Sequence, residues 1–256
     1  MPASPVPSGR RVLVTGAAGG IGRAVVDALA ACGCRIGACD VAPAVGSAFA
    51  ENDAVVATAC FDVRDRGAAQ GAIASLAEQL GGCDAVVANA GVVDTIHRAE
   101  QFPEEDWRKD LDTNLSGQFN VVQAAFQPLA DSGDGRVVLI SSASAETGLP
   151  GQVAYTAAKA GIVGMAKTLA GEWGSRGIRC NVVMPGMIAT PKVRALPEPV
   201  REALSRSIAL GRIGEPEELA GAVAFLLSPA AAYITGAVLR VDGGFGLATG
   251  GLMTGQ

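Results

Sequence analysis

The chain has a single histidine and no Cys-x-x-Cys pair, and these shortages remove the usual frameworks for a metal site or a disulfide scaffold. Six cysteines (Cys32, Cys34, Cys39, Cys60, Cys83, Cys180) are scattered through apolar segments and read as reduced core residues of a cytosolic, cytoplasmic protein. His97 stands in a polar stretch, reads as a solvated loop residue, and is given no role. No apolar run approaches the ~20 residues of a membrane span. The start, Met1 to Gly9, lacks the apolar centre of a signal peptide and reads as a flexible Pro/Ser lead-in. There is no block of like charge, and the net charge is -5. That balance argues against nucleic acid or an anionic membrane as partner.

What the chain has in quantity is apolar and small residues, 49% hydrophobic with 34 glycines in 256 positions. This suits one large α/β domain with many tight turns. Short β-branched runs recur at 11–15, 34–39, 54–61, 84–88, 136–140, 177–184 and 237–241, with helical patterns between them at 23–29, 67–80, 106–127, 154–173 and 217–227. Such alternation predicts a parallel sheet of about seven strands, doubly wound, with helices on both faces and no second domain.

The first strand runs straight into Gly16-Ala17-Ala18-Gly19-Gly20-Ile21-Gly22 and then a helix. Strand, glycine loop and helix together predict a dinucleotide site, because the glycines let the backbone reach a diphosphate at a helix N-terminus. Asp40 ends the second strand, where an acid accepts hydrogen bonds from a ribose diol. No Arg or Lys follows in residues 41–44 to receive a 2′-phosphate, so the expected cofactor is NAD. Asp62-Val63 at the third strand's end would flank the adenine. Asn89-Ala90-Gly91 stops the fourth strand at its carboxyl end, where open α/β sheets bind ligands. Asn114 lies within an otherwise amphipathic helix, a locally unfavourable place that asks for a kink or a polar contact.

The stretch Ser141 to Lys159 leaves a strand, loops through Gly and Pro, and enters a helix carrying Tyr155 and Lys159 four apart, hence on one face. A tyrosine ordinarily loses its proton near pH ~10. A fixed cation beside it is expected to stabilise the phenolate and bring proton exchange towards neutrality.

Taken in order, Thr15-Gly16-x-x-x-Gly20-Ile21-Gly22, Asn89-Ala90-Gly91, Asn114, Ser142, Tyr155-x-x-x-Lys159 and Pro185-Gly186 make the chain resemble the short-chain dehydrogenase/reductase family, classical type, over residues 10–246. The family usually has two asparagines before Ala-Gly; here Ala88-Asn89 stands instead. The resemblance implies a Rossmann-type fold and a catalytic set of Asn114, Ser142, Tyr155 and Lys159, with Ser144 the lesser candidate serine. Tyr155 would be the general acid or base, Ser142 would hold the substrate oxygen, and Lys159 would bind the nicotinamide ribose. Asn114 would hold a relay water, and Ile188 and Thr190 would meet the carboxamide. It also implies a homotetramer or homodimer acting on a small alcohol or ketone. A 3-oxoacyl-thioester reductase using NADPH is the alternative, left open by Lys192, Arg194 and Arg201; a non-catalytic dinucleotide sensor or scaffold is a minor one. Residues 190–213 read as a short mobile substrate lid, and Val92, Val93, Ser144, Glu146, Gln152 and Met187 as further pocket residues, with Glu146 facing solvent. The tail, residues 247–256, is Gly-rich.

Overall fold

A computed structural model describes residues 6–247. Seven parallel strands form one sheet: β1 (Arg11–Thr15), β2 (Arg35–Asp40), β3 (Val55–Cys60), β4 (Ala85–Ala88), β5 (Gly135–Ile140), β6 (Ile178–Pro185) and β7 (Val238–Val241). Their order across the sheet is β3-β2-β1-β4-β5-β6-β7. The sequence of strands reverses direction between β1 and β4, where Val14 is in register with Val87. That reversal opens a crevice at the strands' carboxyl ends.

The helices are α1 (Gly20–Ala31), α2 (Val45–Ala48), α3 (Arg66–Leu80), α4 (Glu104–Leu111), α5 (Gly117–Ala124), α6 (Phe126–Asp131), α7 (Ser144–Thr147), α8 (Val153–Trp173), α9 (Pro191–Arg194), α10 (Glu198–Arg206) and α11 (Pro216–Leu227). Local chemistry sets several ends. The Asp65 carboxylate caps α3 by accepting from Ala68 N, and Gly81 ends that helix with φ 75°. Pro216 opens α11, behind a Glu215 N–H that donates to Glu218 at 2.8 Å.

Strand residues alternate between two cores, as the pleat requires. Leu13, Val86, Val137, Leu139 and Val182 join residues of α3, α5 and α8 on one face. Val12, Val14, Val87, Val138 and Val183 join residues of α1 and α11 on the other. Among the described residues, no helix is long and apolar enough to cross a membrane.

Three expectations need correction. The lead-in is ordered from residue 6: Val6 is fully buried in the second core, and Gly9 N–H donates to Gly33 O at 2.8 Å. Residues 1–5 and the tail 248–256 lie outside the described residues. The cysteines are free, but Cys60 is exposed and Cys32 half-buried, because β3 is an edge strand and Cys32 follows the last turn of α1. The helix expected over 106–127 is interrupted by a π turn, Asp112–Ser116, with Gly117 N–H donating five residues back to Asp112 O.

Candidate active site

β1 delivers its last residue, Thr15, buried at the crevice. Its hydroxyl accepts from Asn89 N and Ala90 N, each at 3.1 Å, while Asn89 Nδ2 donates to Thr15 O and Gly16 O at 3.0 and 3.1 Å. The turn after β4 is thus stitched to the glycine loop. Gly16, at φ 63°, leaves room for it: a Cβ there would lie 2.9 Å from Ala90 Cα. A Cβ on Gly22 would collide with the Gly16 carbonyl, so that position admits only glycine. Ile21 follows half-buried in the first turn of α1.

The loop fits a dinucleotide diphosphate. Gly19 precedes α1 with no side-chain cap, and a Cβ built there meets nothing within 4 Å, so the N-terminus of α1 faces open space. Across the crevice, a Cβ on Gly20 would lie 2.9 Å from the Thr190 methyl group. Asp40 stands beside the loop, its carboxylate accepting from Ala18 N and Ala42 N, both at 3.0 Å. Asp62 is bound to Arg64 at 2.6 Å, which outweighs burial and holds its carboxyl below the usual range. Val63 is buried against Gly117. Ile188 is buried too, bridged to Gly214. Pro185 ends β6, and a Cβ on Gly186 would lie 2.6 Å from Asp242 Cβ.

The Tyr155 hydroxyl stands near Ser142, close enough for Ser142 to favour its phenolate, and Ser142 Oγ accepts from Ser144 N and Ser144 Oγ at 3.2 and 3.0 Å. Lys159 is buried, its Nζ 5.6 Å from the centre of the Tyr155 ring and donating to Ile140 O at 3.0 Å. Gly91 packs on this group: a Cβ there would stand 3.3 Å from Lys159 Nζ and 2.6 Å from Asn114 Oδ1. Asn114, wholly buried in the π turn, accepts from Val92 N at 3.1 Å and donates to Val92 O and Asp110 O at 3.0 Å each. The polar contact that its position asked for is therefore a clamp on the turn after β4.

The electrostatics differ from the expectation. Burial pushes the Lys159 ammonium down to about 8. Burial also raises the Tyr155 phenol above its ordinary value; Ser142 opposes this and the Asp110 charge adds to it. A lysine that titrates near 8 has lost its charge before a raised tyrosine ionises, so in the protein alone it does not stabilise the phenolate.

Three groups around the site escaped sequence reasoning. Ser141 donates to Lys159 O at 2.7 Å, and Gln118 Nε2 donates to Ile140 O at 3.1 Å, both fully buried. Asp110 bonds Thr95. Long-range pairings such as these leave no local signal. His97 is half-buried rather than solvated, 2.8 Å from the Asp106 carboxylate and edge-on to Phe102. Glu146 is exposed, with Arg240 as partner at 2.9 Å. Lys192, Arg194 and Arg201 are paired with Asp94, Glu215 and Glu198. A cavity of about 390 Å³ lies between α10 and residues 189–194 and 213–215; Ser142, Tyr155 and Lys159 do not line it.

Residues 16–246 match the family described as enoyl-(acyl carrier protein) reductase. The chain is 41% identical to a rat (3R)-3-hydroxyacyl-CoA dehydrogenase, over 91% of this chain and 94% of that one. It is 40% identical to D-threitol dehydrogenase of Mycolicibacterium smegmatis, with 93% of each covered. With the 3-oxoacyl-(acyl-carrier-protein) reductase FabG of Escherichia coli the identity is 37%, over 92% of this chain and 97% of that one. A crystal structure of gox2181 superposes with a TM-score of 0.89 at 35% identity, covering 95% of this chain and 98% of that one. The chain belongs to the short-chain dehydrogenase/reductase family, an oxidoreductase whose cofactor is a nicotinamide dinucleotide.

Proposed function

We propose that the protein is an NAD(H)-dependent oxidoreductase that interconverts a secondary alcohol and its ketone. The observation that carries this reading is the Tyr155 phenol beside Ser142 at the carboxyl end of β5, with the buried Lys159 one helical turn on and its Nζ 5.6 Å from the phenol ring. The nicotinamide, when bound, supplies or accepts the hydride. Ser142 orients the substrate oxygen, and Tyr155 gives that oxygen a proton in reduction or takes one in oxidation. Lys159 holds the nicotinamide ribose and restores the proton to the tyrosine. Asn114 fixes the turn that covers Lys159, where a water would complete the relay.

The glycine loop (Gly16, Gly20, Ile21, Gly22) would cradle the diphosphate, and Asp62 and Val63 the adenine. Asn89, Ala90 and Gly91 would back the nicotinamide ribose, with Pro185, Gly186, Ile188 and Thr190 at the carboxamide. NAD over NADP rests on the Asp40 carboxylate, which faces the glycine loop through its bond to Ala18 N and would repel a 2′-phosphate. Residues 190–213, built from α9 and α10, would close over the substrate. Exposed small residues one turn apart on α8 (Ala160, Gly164, Thr168, Gly171) offer a face on which copies of the chain would assemble as a dimer or tetramer.

The second reading, a 3-oxoacyl-thioester reductase using NADPH, is favoured by relatives whose names state that activity. Side-by-side fluorescence titration with NADH and NADPH separates the two. Preference for NADH, abolished in Asp40→Ala, is the expected result. Tighter NADPH binding would overturn the cofactor reading and promote the thioester reductase.

A further inference from the structure

The segment after β4 is held at four successive residues. Asn114 clamps Val92 through both its oxygen and its nitrogen. Gln152, at the start of α8, donates to Val93 O at 3.4 Å. Asp94 pairs with Lys192 of α9. Thr95 donates its hydroxyl to the Asp110 carboxylate on α4. Both members of the last pair are buried, Asp110 at 0% and Thr95 at 5% exposure. Asp110 Oδ1 has no hydrogen-bond partner among the described residues. Burying a carboxylate with half its oxygen atoms unpaired is costly, and an aliphatic side chain would fill a helix face more cheaply. The position therefore calls for a use beyond packing.

Asp110 lies one turn before Asn114, and its own carbonyl accepts from Asn114 Nδ2 at 3.0 Å. Gly151 O accepts from His97 N at 2.9 Å, and Tyr155 follows one turn into α8. The loop thus lies between the bulged helix and the turn that precedes the tyrosine. We propose that Asp110 and Thr95 are positioning residues for the proton-transfer site: they clamp the loop Val92–Thr95 to the helix carrying Asn114 and place a carboxylate on α4, which packs against α8 and its Tyr155. This deepens the reading of Tyr155 as acid and base, and rests on it.

The titratable groups close enough to act on Asp110 are Lys109 and Asp106 on its own helix, Asp94 on the loop, and Tyr155 on α8, against which α4 packs. Burial raises the Asp110 carboxyl, the Thr95 bond partly offsets that, and at the pH where tyrosines ionise it is a carboxylate. It then opposes formation of the phenolate, and keeps the tyrosine stocked with the proton it delivers.

The test uses the protein without substrate, so its outcome is independent of whether the proposed reaction is right; kinetics of Tyr155→Phe judge that separately. The chain has two tyrosines, and Tyr233 is fully exposed, so Tyr233→Phe leaves Tyr155 as the only phenol to titrate by ultraviolet absorbance. In that background Asp110→Asn keeps the acceptor for Thr95 and removes the charge. The Tyr155 midpoint is expected to fall by about half a unit or more. Thr95→Val removes the clamp alone. Hydrogen exchange at Val92–Thr95 is expected to quicken by about tenfold, the equivalent of one lost hydrogen bond, with core strands unchanged and Thr95→Ser restoring protection. A Tyr155 midpoint unmoved by Asp110→Asn overturns the charge role, and unchanged exchange in Thr95→Val overturns the clamp.

Discussion

At the amino-terminal edge of the sheet, Arg11 pairs with Asp84, and Arg10 and Arg136 share Asp134 at 3.1 and 2.6 Å. At the carboxyl-terminal edge Lys159 is as buried as Arg136, yet its bond is to a carbonyl, Ile140 O, and no carboxylate among the described residues pairs with it. The consequence shows in the ionisation of each group. The Asp84 bond holds the Arg11 guanidinium above its ordinary value, and Arg11 outweighs burial to hold Asp84 below the carboxylate range. Arg136 and Arg10 do the same for Asp134 against burial. Arg136 itself is lowered by burial, but a guanidinium remains a cation. These groups are locked in their charged forms. Burial favours the neutral forms of the others: Lys159 falls to about 8, and Tyr155 rises. One end of the sheet locks its groups in their charged forms, while at the other burial favours the neutral forms of Lys159 and Tyr155, which is what separates a structural ion network from an acid–base site.

Two substitutions would break that comparison if they behaved alike. Tyr155→Phe removes the exchangeable proton and leaves the packing. It should lower turnover by about a hundred- to ten-thousand-fold with the melting temperature retained. Steady-state rates on any secondary alcohol or 3-oxoacyl thioester that the wild type accepts check this; activity near wild type would sink the mechanism. Asp134→Ala should do the reverse. It leaves Arg10 and the buried Arg136 without their carboxylate, at a cost of roughly 2 kcal/mol in urea unfolding, below the range for a fully enclosed pair because Asp134 is 59% exposed. Turnover should be unchanged. Lost activity at unchanged stability would show that the two ends are not separate in kind.

Much of this was legible in the sequence because its signals are local. β-branched runs bounded by Gly, Asp or Pro placed every strand to within a residue at each end, and the glycine spacing after β1 placed the loop that Thr15 and Asn89 now hold. Asn114 gave half a signal: its helix position looked awkward, but the π turn and the Val92 clamp depend on a residue 22 positions away. Val6 was hidden by its Pro and Ser neighbours, since nothing local says that one valine reaches a core. The direction of the Tyr155 shift was misjudged for a related reason. Spacing puts a cation near a phenol, but only the fold shows that burial is the largest influence on both.

The difference between the two ends is measured most directly on Lys159 itself. The chain's lysines are Lys109, Lys159, Lys167 and Lys192, few enough for each to be followed by carbon NMR in ¹³C-lysine-labelled protein, with Lys159→Met assigning the signal. The account predicts one lysine signal with a midpoint at about 8, absent from the variant. A Lys159 signal with no depressed midpoint would mean that its proton is locked like the arginines' at the opposite edge, and would contradict the account.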